Sequence, residues 1–163
     1  MRLFIAIELS DEMRLVLKNI QRQMRRQGIS GNFTPEENLH LTLAFIGDYP
    51  DPEPVLEVLD EVRMSPVELA LNGYGNFGDL WWVGLQSSEA LDSYVRQLRH
   101  NLAEAGIPFD RKRFTPHMTL VRRARYILLP ELQIPKIRMV ADHSSLFRSD
   151  RGKHGMIYTE IHR

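Results

Sequence analysis

The sequence predicts an α+β chain folded as two similar lobes, with two antiparallel sheets facing a central groove and helices on the outside. Three observations carry that expectation. Strand-like apolar runs alternate with three helix-like segments along the 163 residues. The phrase His40-Leu41-Thr42-Leu43 returns as His117-Met118-Thr119-Leu120, 77 residues further on. Each copy also follows the start of a long amphipathic segment by about 29 residues, so an internal duplication is the economical reading. The whole chain, 1–163, is then one bilobal domain with one copy of the phrase in each lobe.

The elements follow in order. Leu3–Leu9 is a short apolar run that reads as a first strand. Ser10 precedes Asp11 and Glu12, which suits an N-cap with acidic residues in the first turn. Met13, Val16, Leu17, Ile20 and Met24 then recur at helical spacing, and Gly28 stops a helix over 11–27. Leu39–Ile46 is the first motif strand. A shorter helix begins near Asp51-Pro52, where proline is tolerated, and carries Val55, Val58, Leu59 and Val62. Val67–Tyr74 and Leu80–Leu85 read as strands. The third helix starts at Ser87 or Ser88, shows Leu91, Tyr94, Val95, Leu98 and Leu102, and ends at Gly106 with Pro108 beyond. Phe114–Arg122 is the second motif strand, with Pro116 marking its start or an edge. Ile137–Arg148 and Met156–Ile161 complete the set, and the segment from Asp150 to Gly155 reads as a hairpin turn.

Composition narrows the class. Hydrophobic residues make up 43% and charged residues 26%, ordinary for a soluble globular chain. No apolar stretch is long enough to span a membrane, and the N-terminal run is too short for a signal peptide. There are no cysteines, which removes thiolate nucleophiles, disulfides and cysteine-type zinc sites together, and a cytoplasmic monomer is expected. Formal net charge is zero, so a generic nucleic-acid coat driven by counterion release is excluded. Charge is nonetheless uneven: Arg111, Lys112, Arg113, Arg122, Arg123 and Arg125 surround the second motif, a local anion site in prospect.

The repeated phrase carries the chemistry. Strand side chains alternate, so each histidine shares a face with its threonine while Leu41, Leu43, Met118 and Leu120 point into a core. Random placement of the histidines and threonines yields roughly 0.2 His-x-Thr pairs, and roughly 0.03 with both apolar fillers. Two copies are therefore not accidental. Facing histidines suit the in-line opening of a cyclic phosphodiester, where one group takes a proton from water and another gives one to the departing oxygen. Thr42 and Thr119 can hold non-bridging phosphate oxygens, and a nearby guanidinium adds charge. Arg122 is the candidate, although strict alternation puts it on the far face and Arg123 on the His117 face; a strand irregularity is needed. No carboxylate or second histidine stands at ligand spacing beside either motif, so no metal and no cofactor are expected. Among Phe45, Phe77, Trp81, Trp82 and Phe114, most are expected in the core. Phe45 is the candidate to contact a nucleobase, and only one of the two adjacent tryptophans can face the groove. His100, His143, His154 and His162 read as surface or structural.

The stretches "NLHLTLAFIGD" (Asn38–Asp48) and "FTPHMTLVR" (Phe114–Arg122) resemble the motifs of the 2H phosphoesterase superfamily. With "RLFIAIEL", "GNFGDLWWVGL" and "SLFRSDRGKHGMIYTEI", nearly the whole chain resembles the RNA 2′,3′-cyclic phosphodiesterases, also called 2′-5′ RNA ligases. The resemblance implies a bilobal α+β fold and metal-independent hydrolysis of 2′,3′-cyclic phosphate ends to 2′-phosphomonoesters. RNA ends or small cyclic nucleotides would be the substrates. By likeness His40 donates the proton to the leaving 3′-oxygen, His117 activates water, Thr42 and Thr119 hold the phosphate, and Arg122 is the retained arginine. Met118 is a less usual filler. The alternatives are ATP-independent 2′-5′ joining of RNA ends, the reverse reaction, and a module that binds RNA ends without turnover.

Overall fold

A computed structural model describes residues 1–162. The element order is β1 (Arg2–Glu8), α1 (Asp11–Arg26), β2 (Ser30–Phe33), β3 (His40–Asp48), α2 (Glu53–Glu61), β4 (Val67–Phe77), β5 (Leu80–Leu85), α3 (Glu89–Glu104), β6 (His117–Arg125), β7 (Arg138–Ala141), β8 (Ser145–Gly152) and β9 (Gly155–Ile161). Strands β3-β1-β8-β9 form one sheet and β2-β6-β5-β4-β7 the other; every pairing is antiparallel. The expected α+β class with two antiparallel sheets is what the chain adopts.

Local chemistry explains the helices. Ser10 Oγ accepts the Met13 amide and Ser88 Oγ accepts the Leu91 amide, so both long helices begin on the same cap. Each then buries one stripe: Met13, Leu17, Ile20 and Met24 on α1, and Leu91, Val95, Leu98 and Leu102 on α3. These stripes join Leu3, Ile5, Ile7, Leu41, Leu43, Met118, Leu120 and Val121 in one continuous core that serves both sheets. A second, small cluster of Phe4, Ala6 and Phe147, with Phe45 and Tyr158 against it, lies apart from that core. Strand alternation and cross-strand register put it on the opposite face of the first sheet, the face of His40.

Three differences from the sequence reading have physical causes. Ile137–Arg148 is not one strand: the polar run Asp142-His143-Ser144 breaks it, so β7 closes the second sheet while β8 enters the first. Strand β2 has no apolar alternation to announce it, and exists because it pairs with β6. The sheets are also not the two halves of the sequence. The core pattern β1-α1-β3 does rhyme with β5-α3-β6, but β2 lies in the second sheet and β8 and β9 lie in the first.

Candidate active site

Both motif strands leave strict alternation at the same point. In β3 the pairing with β1 runs Ala6 to Thr42 and then Ile5 to Ala44, so Leu43 is an extra residue. In β6 the pairing with β5 runs Trp82 to Thr119 and then Trp81 to Val121, so Leu120 is extra. Leu43 and Ala44 are consequently both buried, as are Leu120 and Val121. A bulge of this kind shifts the side chains that directly follow it to the other face. The fifth residue after each histidine thereby returns to the histidine's face: Phe45 in the first strand and Arg122 in the second. This is the irregularity that Arg122 needed. Arg123 takes φ 53°, a left-handed backbone just beyond the bulge.

The histidines are held alike. His40 Nδ1 donates to the Asn38 carbonyl at 2.6 Å, and His117 Nδ1 donates to the Thr115 carbonyl at 2.6 Å. A carbonyl only accepts, so in each ring Nδ1 carries the hydrogen and Nε2 is left for proton exchange. Asn38 is itself buried and anchored, its amide donating to the Met156 carbonyl at 2.9 Å. The copies then diverge. Nε2 of His40 lies 2.7 Å from Thr42 Oγ1, and its ring packs on Phe4 and edge-on to Tyr158. The His117 ring stands edge-on to Phe77 and 6.1 Å from Trp82.

Electrostatics also separate the pair. His40 is held below its ordinary 6.5, first by burial, then by the charges of Arg122 and His117, with the Asn38 hydrogen bond opposing. Arg122 and His117 therefore lie close enough to His40 to disfavour its proton. His40 is thus held towards the neutral form. None of the ion pairs among the described residues involves Arg122.

A cavity of about 480 Å³ is lined by Thr42, Phe45, Phe77, Phe114, Thr115 and His117, with Arg99, Lys112 and Arg113 along one wall beside a single acid, Asp110. His40 borders a smaller neighbouring cavity of about 140 Å³ with Phe4, Glu8, Arg14 and Tyr158. Larger depressions beside α2 and outside α3 contain neither motif histidine. The six residues singled out from the sequence, His40, Thr42, Phe45, His117, Thr119 and Arg122, all lie on the sheet faces that bear the histidines. The basic cluster does not stay together: Arg111 stacks on Phe109 away from the motifs.

Trp81 is in the core and Trp82 is not. The Trp82 indole lies against Gly75 and Gly84, where an added Cβ would meet ring atoms at 2.6 Å and 3.3 Å. Phe77, 50% exposed, packs on it at 5.4 Å. Phe4, Phe147 and Tyr158 escaped the sequence reading because an aromatic in a strand reads as core by default. Their signal was available only in register, since Phe4 pairs with Phe45 and Phe147.

A family model described as the 2′-5′ RNA ligase superfamily matches residues 12–153. The chain belongs to that superfamily. Among superfamily relatives, the RNA 2′,3′-cyclic phosphodiesterase of Thermotoga maritima is 28% identical, over 99% of this chain and 94% of its own. That of Thermus thermophilus is 30% identical, over 100% of this chain and 89% of its own. The crystal structure of TT0787 from the same Thermus species superposes with a TM-score of 0.85 at 29% identity, covering 99% of this chain and 96% of that one. Escherichia coli LigT complexed with 3′-AMP superposes with a TM-score of 0.85 at 23% identity, covering 99% and 95%, and shows the same fold.

Proposed function

We propose that this chain hydrolyses RNA 2′,3′-cyclic phosphate ends to 2′-phosphomonoesters by metal-independent acid/base catalysis between His40 and His117. The observation that carries the proposal is the matched pair of rings. Each is fixed through Nδ1 on the carbonyl two residues earlier, which leaves Nε2 for proton exchange, and each stands on a bulged strand with a threonine two residues on. Binding alone needs no such pair.

In the step proposed, His117 takes a proton from water as the water oxygen bonds to phosphorus. The bond from phosphorus to O3′ breaks on the opposite side, and His40 gives its proton to O3′. The products are a 2′-phosphomonoester and a free 3′-hydroxyl. Thr42, Thr119 and Arg122 hold the non-bridging oxygens, where charge is carried through the transition state. Phe45 offers a face to the base. RNA as substrate is supported by the names of the relatives, and the aromatic faces on both sheets suit nucleotides.

His40→Ala and His117→Ala test the proposal on a 2′,3′-cyclic phosphate oligonucleotide. Each is expected to lower kcat by about 10²-fold to 10⁴-fold while the circular-dichroism spectrum stays native. Full turnover in either single variant refutes the two-histidine mechanism. Activity should also persist after exhaustive chelation; loss in EDTA with rescue by a divalent ion would overturn the metal-independent reading.

A further inference from the structure

The two bulges are held by side chains that cross from helices of matching rank. Gln21, ten residues after the start of α1, donates from Nε2 to the Leu120 carbonyl at 3.0 Å and to the Thr34 carbonyl at 2.8 Å. Arg99, ten residues after the start of α3, donates to the Leu43 carbonyl from Nη2 at 2.9 Å and Nε at 3.2 Å. Its Nη1 donates to the Lys112 carbonyl at 2.7 Å. Leu43 and Leu120 are the extra residues of the two bulges, each three positions after its histidine. Thr34 and Lys112 lie on the segments that lead into the opposite histidine.

Backbone bonds follow the same cross. The Thr34 amide donates to the Leu120 carbonyl at 3.0 Å, and the Asp110 amide donates to the Phe45 carbonyl at 2.8 Å. The Thr34 hydroxyl adds a bond to the Thr119 carbonyl at 3.0 Å. Each histidine strand is thus tied at its bulge to the approach segment of the other, twice over and in both directions.

We propose that Gln21 and Arg99 are positioning residues. Each latches the bulge of one histidine strand to the segment leading into the other, and so sets the spacing of His40 against His117 and the presentation of Phe45 and Arg122. Gln21 is 3% exposed and lines none of the cavities that contain the motif histidines, so its influence runs through the backbone. Without its side-chain donor a bulge carbonyl is held less firmly, Leu120 keeping the Thr34 amide and Leu43 losing both Arg99 bonds, and relaxation toward regular pairing would turn the fifth residue away from the groove. Misplacement of reacting groups by about 1 Å is enough to cost about 100-fold in rate.

The inference rests on the two-histidine reading, and the test keeps the two apart. Gln21→Leu and Arg99→Leu are compared with Arg99→Gln, which places on α3, facing the first strand's bulge, the group that α1 already uses at the second. His40→Ala and His117→Ala run alongside. Gln21→Leu and Arg99→Leu are expected to lower kcat about 100-fold with KM changed less than about threefold, in samples shown to be folded by their unfolding transitions. Arg99→Gln is expected to recover most of the loss. Combining Gln21→Leu with Arg122→Ala should cost less than the product of the single losses, because both act on the same arginine. Wild-type kcat per folded molecule in Gln21→Leu, strict multiplicativity with Arg122→Ala, or an Arg99→Gln no better than Arg99→Leu would each overturn the latch. If the histidine variants retain turnover, the acid/base reading fails instead, independently of these results.

Discussion

A histidine works as acid or base when one ring nitrogen is tied and the other faces the reacting atoms, and carbonyls two residues upstream tie both rings here. The lowered pKa of His40 then has two readable consequences. Stability comes first. The folded ring refuses a proton that the unfolded chain accepts, so this contribution is fully present above 6.5 and is lost as pH falls from 6.5 towards the folded value. Thermal unfolding of wild type against His40→Asn across pH 4–8 should show that acid loss only in wild type. Catalysis is the second. With His40 as acid, kcat/KM must fall as pH rises through the free-protein pKa, below 6.5, whereas kcat should persist to higher pH because bound phosphate favours the imidazolium. An NMR titration of His40 that matches instead the rising, acidic limb of kcat/KM would exchange the two roles. Arg122→Ala is expected to lower kcat by about 10²-fold, as removing one donor to a developing anion does. A change in KM alone would make Arg122 a binding group only.

Among the elements, the bulged strand is the unit that builds the site. One extra residue in β3 and one in β6 put Phe45 and Arg122 on the histidine faces, which neither alternation nor propensity indicates. The glycines of β4 and β5 have a comparable role: Gly75 and Gly84 leave room for the Trp82 indole. Gly75→Ala would place a methyl 2.6 Å from Trp82 Cζ2, forcing the ring into the groove. The expected result is a loss of about 1–3 kcal/mol in stability, as overpacking brings, together with a raised KM. Unchanged KM with unchanged tryptophan emission would show that the ring has somewhere else to go. The motif histidines, their threonines, both long helices and their serine caps were legible because each depends on local pattern. The bulges were not, because an extra residue shows only against a partner strand.

At the scale of the molecule, the sheets are assembled from both ends of the chain. Strand β2 belongs to the second sheet, while β8 and β9 complete the first. Neither sequence half therefore contains a finished sheet, and the core is shared. Residues 1–66 and 67–163 expressed separately are expected to show no cooperative unfolding. A cooperative transition in either half alone would mean that the lobes fold independently. Among the described residues no helix is long and apolar enough to cross a membrane. The basic residues near the second motif are divided by the fold, Lys112 and Arg113 at the groove and Arg111 outside it.

By itself the sequence determined the chemistry's inventory: two histidines with their threonines on strand faces, repeated at equal distance from two capped helices. Those are properties of spacing, and spacing is written in the chain. Tertiary structure alone decided which further residues join them. Arg122 over Arg123, Trp82 over Trp81, and Phe4, Phe147 and Tyr158 beside Phe45 follow from register between strands remote in sequence. The crossing bonds of Gln21 and Arg99 follow from each long helix packing on the motif strand of the other sequence half, α1 on β6 and α3 on β3. A register is an agreement between two segments, so neither segment states it alone.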